Sequence, residues 1–261
     1  MIKTVMHEIE LTKANRLRLA EAFRHSKRVD YSIDCVVEGQ MGRAYADDTA
    51  KPTAYCIGTG PFRYFAGDAR GPGGVGMVRG LEPYLLLMPS GPGWPEVWRE
   101  VYGERLHDFP RYSFGTESLS AEHLEGLLEG SRYRDSIVPV TADLAEKIAR
   151  QGEDYLEIGD FDSPEDFEER GIGFAAFVGD EVIGTAYSSL VCSKGIEVSI
   201  FVGEGHRRKG AATALASRLV LECLRRGLRP NWDAANPESH RLALKLGFTF
   251  AGAYDAYYAA R

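Results

Sequence analysis

The sequence predicts a mixed α/β fold, a mostly antiparallel sheet flanked by helices. Three observations point to it. Apolar runs joined by tight turns, such as 174–178 and 182–191 around Gly179-Asp180, have the form of hairpin strands. Between such runs lie helix-period segments. The clearest is 210–226, where Leu215, Ala216, Leu219, Val220 and Cys223 share one face and Gly227 follows as a stop. The 261 residues, 44% hydrophobic, suffice to bury the core of one large or two modest domains.

In chain order, Leu17, Leu19, Ala22 and Phe23 supply the apolar surface of a first helix over 11–25. The β-branched run at 32–37 reads as a strand, as do 43–46 and 53–59, paired as a hairpin around Asp47, Asp48 and Pro52. A short strand at 62–65 leads to Gly71-Pro-Gly-Gly-Val-Gly76, which no periodic helix follows and which reads as a surface loop. A buried strand over 84–88, a helix over 95–102 stopped by Gly103, and an extended stretch at Tyr112 and Phe114 come next. Ser120 caps a helix that Gly130 ends. The second half begins with a strand at 137–141, placed at a sheet edge by Pro139, and a helix over 142–151. Strands at 195–202, 230–235 and 248–258 complete it, with a helix from Asn236-Pro237 to Leu246. The domains expected are 1–130 and 137–261. The order strand, loop, helix, glycine, strand in 84–114 recurs in 231–258, so the first domain reads as a decayed copy of the second.

The net charge of -7 is spread evenly, with 15 basic and 18 acidic residues in 1–130 and 16 and 20 in 131–261. An acidic surface repels phosphate backbones, which argues against nucleic acid and suits a cationic amine. Cys35, Cys56, Cys192 and Cys223 sit apart in apolar runs as small buried residues. The six histidines lack ligand spacing, so no metal is expected. No apolar run reaches membrane-spanning length and no signal pattern opens the chain; a cytoplasmic protein is expected.

The most informative stretch is 197–248. Strand 195–202 runs through Gly203-Glu-Gly-His-Arg-Arg-Lys-Gly210 into the long helix. Unpaired N–H groups and a partial positive charge at a helix start suit a pyrophosphate, and Arg207, Arg208 and Lys209 add positive potential. An ATP-type loop is excluded because Ala211-Ala212, not Lys-Ser/Thr, follow the second glycine; a dinucleotide loop fits poorly beside hairpin-connected strands. A solvated basic turn stands beside the cradle reading, which the helix periodicity and the Asn236 segment favour.

Arg207, Gly210 and Ala212 match the Arg/Gln-x-x-Gly-x-Gly/Ala loop of the GNAT superfamily of N-acetyltransferases, and Asn236, Ser239 and Lys245-Leu-Gly-Phe248 match a second family block. The chain resembles that family over about 137–258. Glu197-Val-Ser-Ile, Gly210-Ala-Ala-Thr, Glu222-Cys, Arg229-Pro-Asn-Trp-Asp-Ala-Ala-Asn236 and Tyr257 resemble a bacterial subfamily that includes zwittermicin A self-resistance acetyltransferases. Glu38-Gly39, Asp47-Asp48 and Phe65-Ala-Gly-Asp68 extend that likeness into the first half. The resemblance implies acetyl-CoA as cofactor. It implies that strand 195–202 diverges from 230–235, and that Ile200, Phe201 and Val202 pair with the pantetheine arm. Arg207, Arg208, Lys209, Gly210, Ala211 and Ala212 would hold the pyrophosphate, and Asn236 and Ser239 would line the far wall.

Acetyl transfer to an amine needs a base, because a primary amine is mostly protonated near neutral pH. Glu197, sharing a strand face with Ser199 and Phe201, is the candidate; a hydrogen-bonded structural glutamate is the other reading. The tyrosine the family places four residues before the glycine is Ala243 here. Tyr254, Tyr257 or Tyr258 would replace it as proton donor, Tyr257 preferred, although aromatics on such a strand are commonly core. The nine carboxylates of 153–169 would attract a cationic amine, or form a solvated face. The resulting expectation is an N-acetyltransferase acting on a small-molecule amine. A protein-amine acetyltransferase and a non-catalytic acyl-CoA-binding module are the alternatives. A dimerising first domain would make a homodimer.

Overall fold

The computed structural model describes residues 6–150 and 155–261. The chain forms two compact units: Met1–Arg111 with Ala253–Arg261, and Tyr112–Gly252. This differs from the expected 1–130 and 137–261 for a packing reason. Leu124 and Leu128 bury in the core of the second unit, whereas Tyr254, Ala256 and Tyr257 bury in cores of the first.

Unit 1 contains β1 (His7–Ile9), α1 (Lys13–Ala22), α2 (Ser32–Glu38), β2 (Arg43–Ala46), β3 (Ala54–Thr59), β4 (Phe62–Gly67), α3 (Pro72–Arg79), β5 (Leu86–Leu87) and α4 (Trp94–Tyr102). β6 (Leu106–Gly115) begins in it and ends in unit 2. β1 to β4 pair antiparallel in order, and β5 lies parallel to β4. On one side Leu19, Phe23, Ile33 and Val36 bury with Tyr64. On the other, Phe65 stacks at 4.8 Å on Trp94 beside Trp98.

Three expectations for this unit are corrected. Residues 32–37 are helical, not extended: Asp30 accepts from the Ser32 N–H at 2.8 Å, Gly39 ends the helix at φ 71°, and Ile33 and Val36 bury on one face. That burial, about 1.5–3 kcal/mol per side chain, exceeds the few tenths by which β-branched residues disfavour helix. Gly71–Gly76 is not a loop but the start of α3, entered by Pro72 and preceded by Asp68, whose carboxylate accepts from the N–H of Arg70 and Gly71. Its glycines allow close approach: a Cβ on Gly73 would lie 2.0 Å from Asp47 Oδ2, and one on Gly74 2.3 Å from the Asp68 carbonyl. The strand expected over 84–88 shrinks to Leu86–Leu87, with Tyr84 exposed at φ 66°.

Unit 2 contains α5 (Ala121–Glu129), β7 (Ile137–Pro139), α6 (Ala142–Arg150), α7 (Pro164–Arg170), β8 (Gly173–Val178), β9 (Glu181–Cys192), β10 (Gly195–Val202), α8 (Ala211–Arg226), β11 (Arg229–Asn231), β12 (Asp233–Ala234) and α9 (Pro237–Leu246). β13 (Thr249–Ala259) begins here and ends in unit 1. The sheet order is β11-β10-β9-β8-β7, antiparallel except for the β10–β11 pair, with Pro139 on the edge strand as expected. α8 packs Leu215, Leu219 and Val220 against Ile183, Ala186 and Ile196. The expected end of α6 at Gln151, and the acids Glu153 and Asp154, lie outside the described residues.

All four cysteines are buried thiols, and burial pushes those of Cys56 and Cys223 up to about 12. Among the described residues no cluster of three His, Cys, Asp or Glu forms, and no helix is long and apolar enough to cross a membrane.

Candidate active site

The site grows from one departure. β10 pairs with β11 only over Gly195↔Arg229, Ile196↔Pro230 and Glu197↔Asn231. Beyond Glu197 the two part. β10 continues against β9 alone among the described residues, while the chain turns at Trp232 into β12, whose Asp233 and Ala234 pair with Ser113 and Tyr112 of β6. The single strand expected over 230–235 is therefore two, on different partners. Val198, Ser199, Ile200 and Phe201 are half-buried along this open edge, whereas Ile196 has no exposure.

Glu197 sits at the vertex and is 9% exposed, with the Asn231 amide donating to its Oε2 at 2.8 Å. The register of β9 steps from Leu190↔Glu197 to Ser188↔Val198, so Ser189 is the extra residue of a bulge. Because the bulge lies on β9, alternation along β10 is undisturbed. Val198 and Ile200 pack on the helix side, while Phe201 faces Tyr155 at 4.7 Å, edge to face. The segment after residue 155 is tied to that face: Thr185 Oγ1 donates to the Tyr155 carbonyl, and the Glu157 N–H donates to the Tyr187 hydroxyl at 3.0 Å. A Cβ on Gly203 would meet the Tyr155 hydroxyl at 2.5 Å, so the glycine lets this ring close over the strand end.

At the end of β10, Arg207 donates through Nε to the Val202 carbonyl at 3.0 Å, and Lys209 Nζ folds back to the Gly205 carbonyl at 2.6 Å. Arg208 and Gly210 hold φ of 57° and 94°, two left-handed positions on either side of Lys209 at the entry to α8. α8 then opens with Ala211 and Ala212, with no side-chain cap and no acid in its first turn. Elsewhere in unit 2, α5, α7 and α9 begin with a capping Ser120, Ser163 and Asn236 and carry Glu122, Glu165 and Glu238 in the first turn. Lys245 adds a further cation, with Nζ 3.3 Å from Thr213 Oγ1 in that same turn. Cations gathered at the positive end of an uncapped helix oppose its dipole, an arrangement that favours an anion.

The remaining expected residues have defined partners. Asn236 Oδ1 accepts from the Ser239 N–H at 2.8 Å as the cap of α9, and Ser239 Oγ accepts from Trp232 Nε1 at 3.1 Å. Ala243, in the family's tyrosine place, is fully buried. Tyr257 belongs to unit 1 and Glu197 to unit 2, so no single unit brings them together. Tyr257 packs 5.7 Å from Trp98 and accepts from Arg99 at 3.2 Å, and burial raises its phenol. The acidic run is partly structural. Asp166 forms a two-point pair with Arg170 at 2.6 Å, which lowers its carboxyl, and Glu168 accepts from the Ala142 N–H opening α6. Asn231, Lys245 and Tyr155 were not picked out as site residues from the sequence. Asn231 and Lys245 lie inside the matching blocks, and strand register and side-chain reach alone give them their places.

A strand splayed from its parallel neighbour offers free main-chain groups, and the uncapped cationic helix end beside it suits an anion. The chain belongs to the GNAT acetyltransferase family, whose model matches residues 23–257. It is similar to the uncharacterized N-acetyltransferase YdfB of Bacillus subtilis (strain 168), 26% identical over 98% of this chain and 99% of that one. A GCN5-related N-acetyltransferase-like protein from Streptococcus suis 89/1591 superposes at a TM-score of 0.82 with 29% identity, over 95% of this chain and 100% of that one. A tandem GNAT protein from the clavulanic acid biosynthesis pathway shares the fold, at a TM-score of 0.56 and 13% identity over 97% and 96% of the two chains.

Proposed function

We propose that the protein is an acetyl-CoA-dependent N-acetyltransferase acting on the amine of a small molecule, with unit 2 as its catalytic part. The observation that carries the reading is the first turn of α8: no cap, no acid, and Arg207, Arg208, Lys209 and Lys245 around it. The residues present fit a diphosphate there. Its oxygens would accept from the N–H groups of Gly210, Ala211 and Ala212, and the open edge of β10 over Ile200, Phe201 and Val202 offers main-chain groups to an amide-bearing arm. Acetyl-CoA would supply the activated acyl thioester.

The acceptor amine must lose a proton before or during attack, and Glu197 is the group we assign to take it. It stands in an apolar strand at the vertex where the open edge begins. Tyr257 is left out of the mechanism because its hydroxyl is held by Arg99 in unit 1. Asn236 and Ser239 act through α9: by fixing Trp232 they hold the turn that separates β11 from β12.

Unit 1 we infer to be a degenerate copy. Its order β2-β3-β4, α3, β5 parallel to β4, then α4 and β6 repeats β8-β9-β10, α8, β11 parallel to β10, then α9 and β13. Where α8 is preceded by cations, α3 is closed by carboxylates: Asp68 accepts from Gly71 and Asp47 lies against Gly73. An anion has no place there.

The test is release of free thiol from acetyl-CoA with a panel of small amines. At least one is expected to turn over. Glu197→Gln is expected to lower that rate by about 10² or more while calorimetric CoA binding is retained. CoA binding with no turnover of any amine would favour a non-catalytic acyl-CoA module, and no CoA binding would end the proposal.

A further inference from the structure

The Glu197 carboxylate is nearly buried, and a carboxylate in that position is costly unless hydrogen bonds replace its water. One donor is the Asn231 side chain, 2.8 Å from Oε2. The two residues are direct partners on the last rung before β10 and β11 part. Asn231 is itself held: the next residue, Trp232, is anchored through Nε1 to Ser239 of α9, whose N–H is taken by Asn236. The carboxylate thus connects through main chain and hydrogen bonds to the capped end of a helix.

Building on the reading of Glu197 as base, we propose that Asn231 is a positioning residue that holds the Glu197 carboxylate, ionised and correctly oriented, at the vertex of the splayed strands. The chemistry of the side chain supports this over a simple rivet between strands. An ionised carboxylate only accepts, so the amide must present its NH2, and an amide has no proton to surrender near neutral pH. A lysine or arginine in the same place would form a charge-assisted bond roughly twice as strong and would depress the basicity of the carboxylate. A neutral donor orients the base and leaves it able to accept a proton.

The experiment uses full-length protein labelled with 13Cδ-glutamate, with the Glu197 signal assigned by its loss in Glu197→Gln. Carboxyl titrations are compared for the wild type, Asn231→Ala and the near-isosteric Asn231→Asp, with calorimetric CoA binding as the check of folding. Loss of a hydrogen bond to the charged form makes protonation easier. The Glu197 midpoint is therefore expected to rise by about one pH unit in Asn231→Ala, a tenfold gain in proton affinity. In Asn231→Asp, where two carboxylates face each other, it is expected to rise further. The acid limb of turnover with the amine found above should move with it, while the KM for acetyl-CoA stays within about twofold. Midpoints that stay in place in both variants, with Glu197→Gln inactive, would overturn the role of Asn231 and leave the base intact. Retained turnover in Glu197→Gln would overturn the base, and the positioning role with it.

Discussion

Gly210 carries a φ of 94°, and a Cβ there would meet no atom within 4 Å. Backbone conformation, not crowding, requires glycine at this position. Gly210→Ala is expected to cost about 1–2 kcal/mol in urea unfolding, because an L-residue resists this region. CoA affinity is expected to fall alongside, since relaxing the strain moves the N–H groups of the first turn. A variant as stable as the wild type would refute the argument. Asp47 shows the same economy in unit 1. Burial acts to raise its carboxyl, but bonds from the Thr53 hydroxyl and the Thr53 and Ala54 N–H groups prevail and hold it below its ordinary 3.8. Such a group stabilises the fold above 3.8 and stops doing so as pH falls through its folded value. Wild-type stability should therefore drop more steeply than that of Asp47→Asn below about pH 4. Equal slopes in urea titrations across that range would exclude it. Asp47-Asp48 and Phe65-Ala-Gly-Asp68 were legible in the sequence as shared motifs; that Asp47 holds the start of β3 and Asp68 the entry to α3 was not, although the bonds are local, because the glycine-rich stretch after Asp68 reads as a loop.

Helix ends were the most legible elements. Ser120, Asn236 and Gly227 bound helices as their chemistry demands, because capping is a contest among four or five neighbouring residues; Gly130 also ends its helix, but at a right-handed φ of -75°. Asn236→Ala is expected to cost about 1 kcal/mol by the same measure, a stability loss checked in urea. Elements decided by packing read less well. Residues 32–37 have strand propensity and form a helix, and α3 is helical despite its poor helix formers, two of which, Gly73 and Gly74, leave no room for a Cβ beside the Asp47 side chain and the Asp68 carbonyl. In the candidate site the loop and α8 were visible as local pattern. The Glu197–Asn231 pair was not, because it depends on which residue of β11 lies opposite which of β10.

Each closing strand serves two units. Tyr257 and Tyr258 of β13 pair with β5 in unit 1, and Tyr112 and Ser113 of β6 pair with β12 in unit 2. Residues 253–261 place Tyr254 and Ala256 in one core of unit 1 and Tyr257 in the other. Truncation after Gly252 is expected to speed amide hydrogen exchange throughout unit 1, while the amides of β9, β10 and α8 keep their protection. Uniform loss of protection in both units would show that they unfold as one. The sequence alone determined the mixed α/β class, the basic glycine loop ahead of α8, the cap residues and the strand bearing a lone carboxylate, because each is written in neighbours a few residues apart. The partner of that carboxylate, the assignment of Tyr257 to unit 1 and the exchange of closing strands came from the folded chain. They depend on long-range pairing, whose register is set by the cores and leaves no local mark.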